Sequence, residues 1–168
     1  MSAYVRWHPL LVPNEEERQV AVFRTVATPE FAAVEVPELR EAFRNSSVPP
    51  ERRFAATPLG FQVLTVRPGT TSGGEAQTVS VTDVATGTAV DLGADGGRVQ
   101  VAVLYALDMR DGDVVAPTSY HRMACWLEWT GEDWRLDGYG RLPSTLRVPS
   151  SDEPAEIRAA GWRTFRLA

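Results

Sequence analysis

The stretch Tyr120 to Tyr139, YHRMACWLEWTGEDWRLDGY, leaves the chain little choice of local structure. Met123, Cys125, Leu127 and Trp129 fall on one side of a period-two alternation, and Arg122, Ala124, Trp126 and Glu128 on the other. Three of the five tryptophans, Trp126, Trp129 and Trp134, lie inside it. Aromatic, strand-forming residues on either side of a short polar turn, Thr130-Gly131-Glu132-Asp133, predict an antiparallel hairpin. Once that hairpin forms, the second half of the chain is committed to a sheet.

The preceding residues extend the same pattern. Arg98 to Met109 alternates without a break through Val99, Val101, Val103, Tyr105 and Leu107. Leu59 to Arg67 and Gln77 to Val84 read as two further strands, separated by turn residues at Pro68-Gly69 and Ser72-Gly73-Gly74. Asp91 to Gly97 and Asp111-Gly112-Asp113 read as loops.

Before Leu59 the period is helical. Asn14 followed by Glu15, Glu16 and Glu17 suits a helix start, with Val20, Phe23 and Ala27 on its apolar face and Val22 and Val26 beside them. Thr28 with Pro29 predicts a second short helix containing Phe31. Pro37 predicts a third, turning Leu39, Ala42 and Phe43 inward and ending at Asn45-Ser46-Ser47 before Pro49-Pro50. A last helix is expected near Asp152 to Ala160, capped by Ser151, and followed by Trp162 and Phe165.

Helices first and then a run of strands define an α+β chain, with N-terminal helices packed on a curved antiparallel sheet and a short C-terminal helix. At 168 residues one domain is expected, residues 14–168, behind an N-terminal arm of residues 1–13. The face carrying His121, Met123, Cys125, Leu127 and Trp129 is expected to point inward, with Phe61, Val101, Met123 and Trp129 as its filling.

Composition narrows the function classes. The net charge of -5 speaks against nucleic acid or an anionic membrane as partner. All 17 basic residues are arginine, which a GC-rich genome explains without any functional demand. The single cysteine, Cys125, excludes an internal disulfide and a cysteine-based zinc cluster. No stretch approaches the roughly 20 apolar residues of a membrane helix, so no membrane insertion is expected. A soluble, cytoplasmic protein follows by default. The acidic glycine loops lack the alternating ligands of a calcium loop, and no glycine-rich phosphate loop or nucleophile elbow is present. Neither a metal nor a cofactor is expected.

Two constellations remain. His121, with Asp108 or Asp137 approaching from neighbouring strands, would make an acid–base pair; the plain alternative is a half-buried histidine at a strand end. Tyr120, Trp126 and Tyr139 would make an aromatic interface patch if their face is open to solvent, or would pack under the C-terminal helix.

The hairpin end, Leu127-Glu128-Trp129 through Asp133-Trp134-Arg135-Leu136-Asp137, resembles the last hairpin of nuclear-transport-factor-2-like cone folds. Joined by Ala27-Thr28-Pro29-Glu30-Phe31-Ala32-Ala33 with Leu39-Arg40, and by Pro58-Leu59-Gly60-Phe61-Gln62-Val63, it is similar to a group of actinobacterial proteins of integrative conjugative elements. Those are related to the inner-membrane scaffold component of conjugative type IV secretion systems. The resemblance implies a non-enzymatic structural or accessory protein that works through protein contacts, including self-association into a homo-oligomer. The family carries an N-terminal membrane helix that has no counterpart before Asn14; an extracytoplasmic location is implied if such a helix was removed. The competing expectation, a cyclase-like or isomerase-like enzyme or small-molecule binder of the same cone fold, rests on His121 and its acidic neighbours.

Overall fold

A computed structural model describes residues 15–49, 51–67, 79–82, 89–92 and 97–164. Its element order is α1 (Glu16–Val26), α2 (Pro29–Arg44), β1 (Arg52–Arg67), β2 (Val79–Thr82), β3 (Ala89–Leu92), β4 (Arg98–Asp111), β5 (Val114–Val115), β6 (Ser119–Trp129), β7 (Trp134–Tyr139), α3 (Pro154–Ala159) and β8 (Arg163–Thr164). The chain is α+β. Its open antiparallel sheet runs in the order β7-β6-β4-β1-β8, with β5 on β4, and β2 and β3 pair separately. The described residues gather into two compact units, one of residues 15–56 and 107–119, the other of residues 57–106 and 120–164, so the long strands β1 and β4 contribute to both.

In the first unit, α1 buries Val20 and Phe23 and leaves Val22 and Val26 exposed. Glu15 is its N-cap and makes no side-chain capping bond, while the expected cap Asn14, like the arm of residues 1–13, lies outside the described residues. Thr28 caps α2 as its sequence predicts, accepting a hydrogen bond from the Phe31 N–H at 3.3 Å. The separate helix expected at Pro37 does not exist: α2 runs unbroken through it to Arg44. The buried residues explain why. Ala32, Glu35, Val36, Leu39, Ala42 and Phe43 form one stripe whose phase crosses Pro37 without a shift. Pro37 and Ala33 both lie on the solvent side, so the Ala33 carbonyl, which finds no N–H at residue 37, faces water rather than the core.

Arg40 ties α2 to α1. Its guanidinium bonds Glu16 at 2.8 Å and both Glu17 carboxylate oxygens at 2.7 and 3.0 Å. That fork holds the Glu17 carboxyl below the usual glutamate range. The Phe23 and Phe31 rings meet at 5.6 Å. At the far end of β4, Arg52 pairs with Asp111 at 2.7 Å, and Gly112, at a φ of 58°, makes the tight turn into β5.

In the second unit, the deepest core lies on the even-numbered face of β4. Ala102 and Leu104 are fully buried against Leu146, Ile157 and Trp162 from the C-terminal segment. The face expected to point inward is packed as well, at Val99 and Cys125. On that opposite face Cys125 is buried, Phe61, Val101, His121, Leu127 and Trp129 are half-buried, and Met123 is exposed. The reason is local. Trp162 follows α3 closely, and its indole N–H donates to the Arg147 carbonyl at 2.7 Å, which fastens the segment over Leu104. Ser151 does not cap α3 directly; its hydroxyl accepts from the Glu153 N–H at 3.3 Å, and Pro154 opens the helix. Gly60 in β1 makes room for this segment, since a Cβ there would lie 2.8 Å from the Arg163 carbonyl.

The hairpin forms as its sequence predicts, with Trp129 opposite Trp134 and their rings 5.5 Å apart. Its register jumps once: Trp126 pairs with Gly138 but Leu127 pairs with Leu136. Asp137 is therefore a surplus residue, a β-bulge.

Candidate functional site

Both carboxylates of the acid–base constellation are engaged. The Asp108 carboxylate accepts a 2.6 Å hydrogen bond from the Thr118 hydroxyl. Asp137, pushed out of register by the bulge, is ion-paired with Arg98. His121 stacks on Tyr105, with ring centroids 5.6 Å apart and planes 22° from parallel. Burial raises the Tyr105 phenol above its ordinary pKa, which keeps it a neutral stacking partner. Each acidic residue that could have served His121 thus has a partner of its own.

The aromatic patch is also divided. Tyr139 stands opposite Cys125, so it belongs to the Cys125 face, whereas Trp126 projects from the other. Tyr120 shares the parity of Trp126 but lies six residues along the strand, roughly 20 Å away. Trp126 itself is half-buried with two cations beside it: the Arg67 guanidinium lies 4.7 Å and that of Arg98 5.4 Å from its ring. Part of its π-surface is therefore engaged by its own chain. The sequence held a faint sign of this arrangement, since Arg67 and Arg98 end and begin strands that pair beside Trp126.

Cys125 is buried and its sulfur lies 3.7 Å from the Val101 carbonyl. Burial pushes its thiol up to about 11, which makes it inert near neutral pH. Among the described residues, no group of three or more His, Cys, Asp or Glu side chains could hold a metal ion, and no helix is long and apolar enough to cross a membrane.

Among the described residues, the first unit carries open apolar surface. A groove of about 420 Å³ runs along α2, lined by Pro29, Ala32, Ala33, Val36 and Pro37, with Arg24 as its single charged wall. A second, of about 460 Å³, is lined by Phe54, Ala55, Met109 and Val115 between Arg53, Arg110 and Asp108. Val22, Val34, Val114 and Val115 are more than half exposed. Sequence periodicity conceals the α2 groove, because splitting the helix at Pro37 removes the surface that carries it. The visible sign was the run of small residues and prolines from Ala27 to Pro37.

No protein-family model matches the chain, and no curated protein matches it. Among solved structures, the chain is similar to the intermembrane space region of the chloroplast protein ARC6, at 12% identity and a TM-score of 0.42, over 86% of this chain and 98% of that one.

Proposed function

We propose that the chain is a non-enzymatic accessory protein with a nuclear-transport-factor-2-like cone fold, acting through protein–protein contacts in a conjugative or other mobile element. The observation that carries the reading is the groove along α2, where Pro29, Ala33 and Pro37 stand exposed above the buried Ala32 and Val36, together with the exposed Val22, Val26 and Val34 on the same two helices. Exposed apolar side chains gathered on neighbouring elements, rather than scattered singly, suit a contact surface. The helix order and the hairpin-rich sheet are in keeping with the cone class, and the three sequence stretches that resemble conjugative-element proteins supply the biological setting. The engagement of Asp108 by Thr118 and of Asp137 by Arg98 leaves the enzyme reading without a comparable support.

Co-expression with the products of the neighbouring genes, followed by co-purification and light scattering, tests the reading. The expected result is a stable complex with one of them, or a mass above that of a single chain. A strict monomer that binds none of its neighbours overturns it.

A further inference from the structure

The first unit carries both halves of a contact that it does not make with itself. One half is the α2 groove, apolar throughout except for Arg24. The other is the tip of the β4–β5 hairpin, Asp113-Val114-Val115. Val114 is 70% and Val115 63% exposed, placing both among the most open large hydrophobic residues. Gly112, which makes the turn, has nothing within 4 Å of where a Cβ would stand, so the tip projects into open space. Arg24 and Asp113 each make no ion pair among the described residues. Asp113 at the end of the tip matches Arg24 beside the groove in sign of charge, and Val114 and Val115 match the apolar lining, while Arg110 stands opposite Val115 on β4.

A third feature joins the two. Pro37 has no N–H, so the Ala33 carbonyl lacks its helical donor, and both residues line the groove. Among the described residues β5 pairs only with β4. Val115, the β5 residue between positions 114 and 116 that face β4, turns its N–H to the outer edge. The groove offers it an acceptor.

We propose that the hairpin tip of one copy docks into the α2 groove of a second copy, with Val114 and Val115 against Pro29, Ala33 and Pro37, and Asp113 on Arg24. The contact rests on the protein-contact reading and names the partner as the chain itself. Donor and acceptor surfaces differ, so the contact is head-to-tail: it leaves one groove and one tip vacant on every assembly that does not close into a ring.

Two charge reversals test it, with light scattering over a wide concentration range as the readout and circular dichroism to establish folding. Arg24→Glu faces Asp113 with a like charge, and Asp113→Arg does the same to Arg24. Each variant alone is expected to self-associate at least about tenfold more weakly than the wild type. Mixed together they are expected to recover association. The groove of the Arg24→Glu variant, now acidic, accepts the tip of the Asp113→Arg variant, now basic, and the unaltered groove and tip match as before. Val114→Asp supplies a third variant, expected to abolish association whatever the charge at residue 24. If the wild type associates and neither reversal weakens it, or the mixture fails to recover, the contact is overturned while the wider protein-contact reading stands. If the wild type is a monomer at every concentration, the contact is overturned, and the wider reading is then decided by the neighbouring-gene proteins.

Discussion

Cys125 illustrates how a side chain can be legible in identity and still depend on the fold for its chemistry. The alternation of β6 marks it as inward-facing, and the structure buries it. In the unfolded chain its thiol titrates near its ordinary value of 9, but in the fold only near 11. The raised value gives the sign of its pH effect. Below pH 9 both states hold the proton and the contribution is complete. Between 9 and 11 the unfolded state loses its proton first, so stability falls as pH rises, by about 3 kcal/mol at most. Denaturant melts of wild type and Cys125→Ala between about pH 8 and 11 are expected to converge with rising pH. Thiol-specific reagents should label the native protein only at its unfolding rate. The opposite case is Glu17, whose carboxyl is depressed by the Arg40 hydrogen bonds. It contributes above its unfolded pKa and loses that contribution as pH falls through the folded one. An NMR titration should place its midpoint below that of an ordinary glutamate, and Arg40→Gln should return it. Neither shift is visible in the sequence, because each depends on neighbours brought from elsewhere in the chain.

Among the elements, α2 and the C-terminal segment show where periodicity succeeds and where punctuation misleads. The buried stripe Leu39, Ala42, Phe43 is plain in the sequence, and so is the Thr28 cap. Pro37 reads as a start, since proline favours the first turn, yet it sits on the wet side of a helix already held by the Thr28 cap and the Arg40 bridges. Proline in a helix interior is about 3 kcal/mol worse than alanine, offset in part by its restriction of the unfolded chain. Pro37→Ala is therefore expected to raise stability by roughly 2 kcal/mol, read as a shift in the denaturation midpoint. By supplying Ala33 with its donor, the same change should weaken association between copies; the two effects have opposite signs and a general packing change would not produce both. β5 and β8 went unseen because two residues are too few to show an alternation, and β3 because its Asp91 and Leu92 read as the start of the Asp91–Gly97 loop. The first residues of β1 escaped because Pro58 and two arginines interrupt the apolar signal. At the other end of the chain, Trp162 looks like one more aromatic in a tail. Its burial and its bond to Arg147 make it the anchor of that tail. Trp162→Ala should cost about 3–5 kcal/mol, and Trp162→Phe about 1–3 kcal/mol, in chemical unfolding.

At the level of the whole molecule, α+β class, the helix-then-strand order and the terminal hairpin were all legible. Which face of the sheet the C-terminal segment would cover was not. Alternation identifies two faces, and both sides of β4 carry apolar residues: valines and Tyr105 on one, Ala102, Leu104 and Ala106 on the other. The decision falls to Trp162 and Ile157, whose seat requires the missing side chain at Gly60. The candidate site was less legible still: strand neighbourhood brought Asp108 and Asp137 into consideration for His121, but it could not reveal that Thr118 and Arg98 engage those carboxylates. Association between copies should show a mixed response to ionic strength. The Arg24–Asp113 contribution is screened by salt and the valine contribution is not. Sedimentation in rising sodium chloride is expected to show partial weakening that levels off, and a complete loss would mean that the apolar part of the contact is absent.

Asp137 makes β7 the strand in which chain length is negotiable. Dropping one residue from a regular strand turns every later side chain over. Dropping this one removes a surplus, and Leu136 and Gly138 could then follow each other in unbroken register. What such a deletion would strand is Arg98, left with its guanidinium beside Trp126 and its bridging carboxylate gone. Length at one position and charge at another, far apart in the chain, are therefore inherited as a pair. A relative that has shed the bulge should have shed the arginine as well.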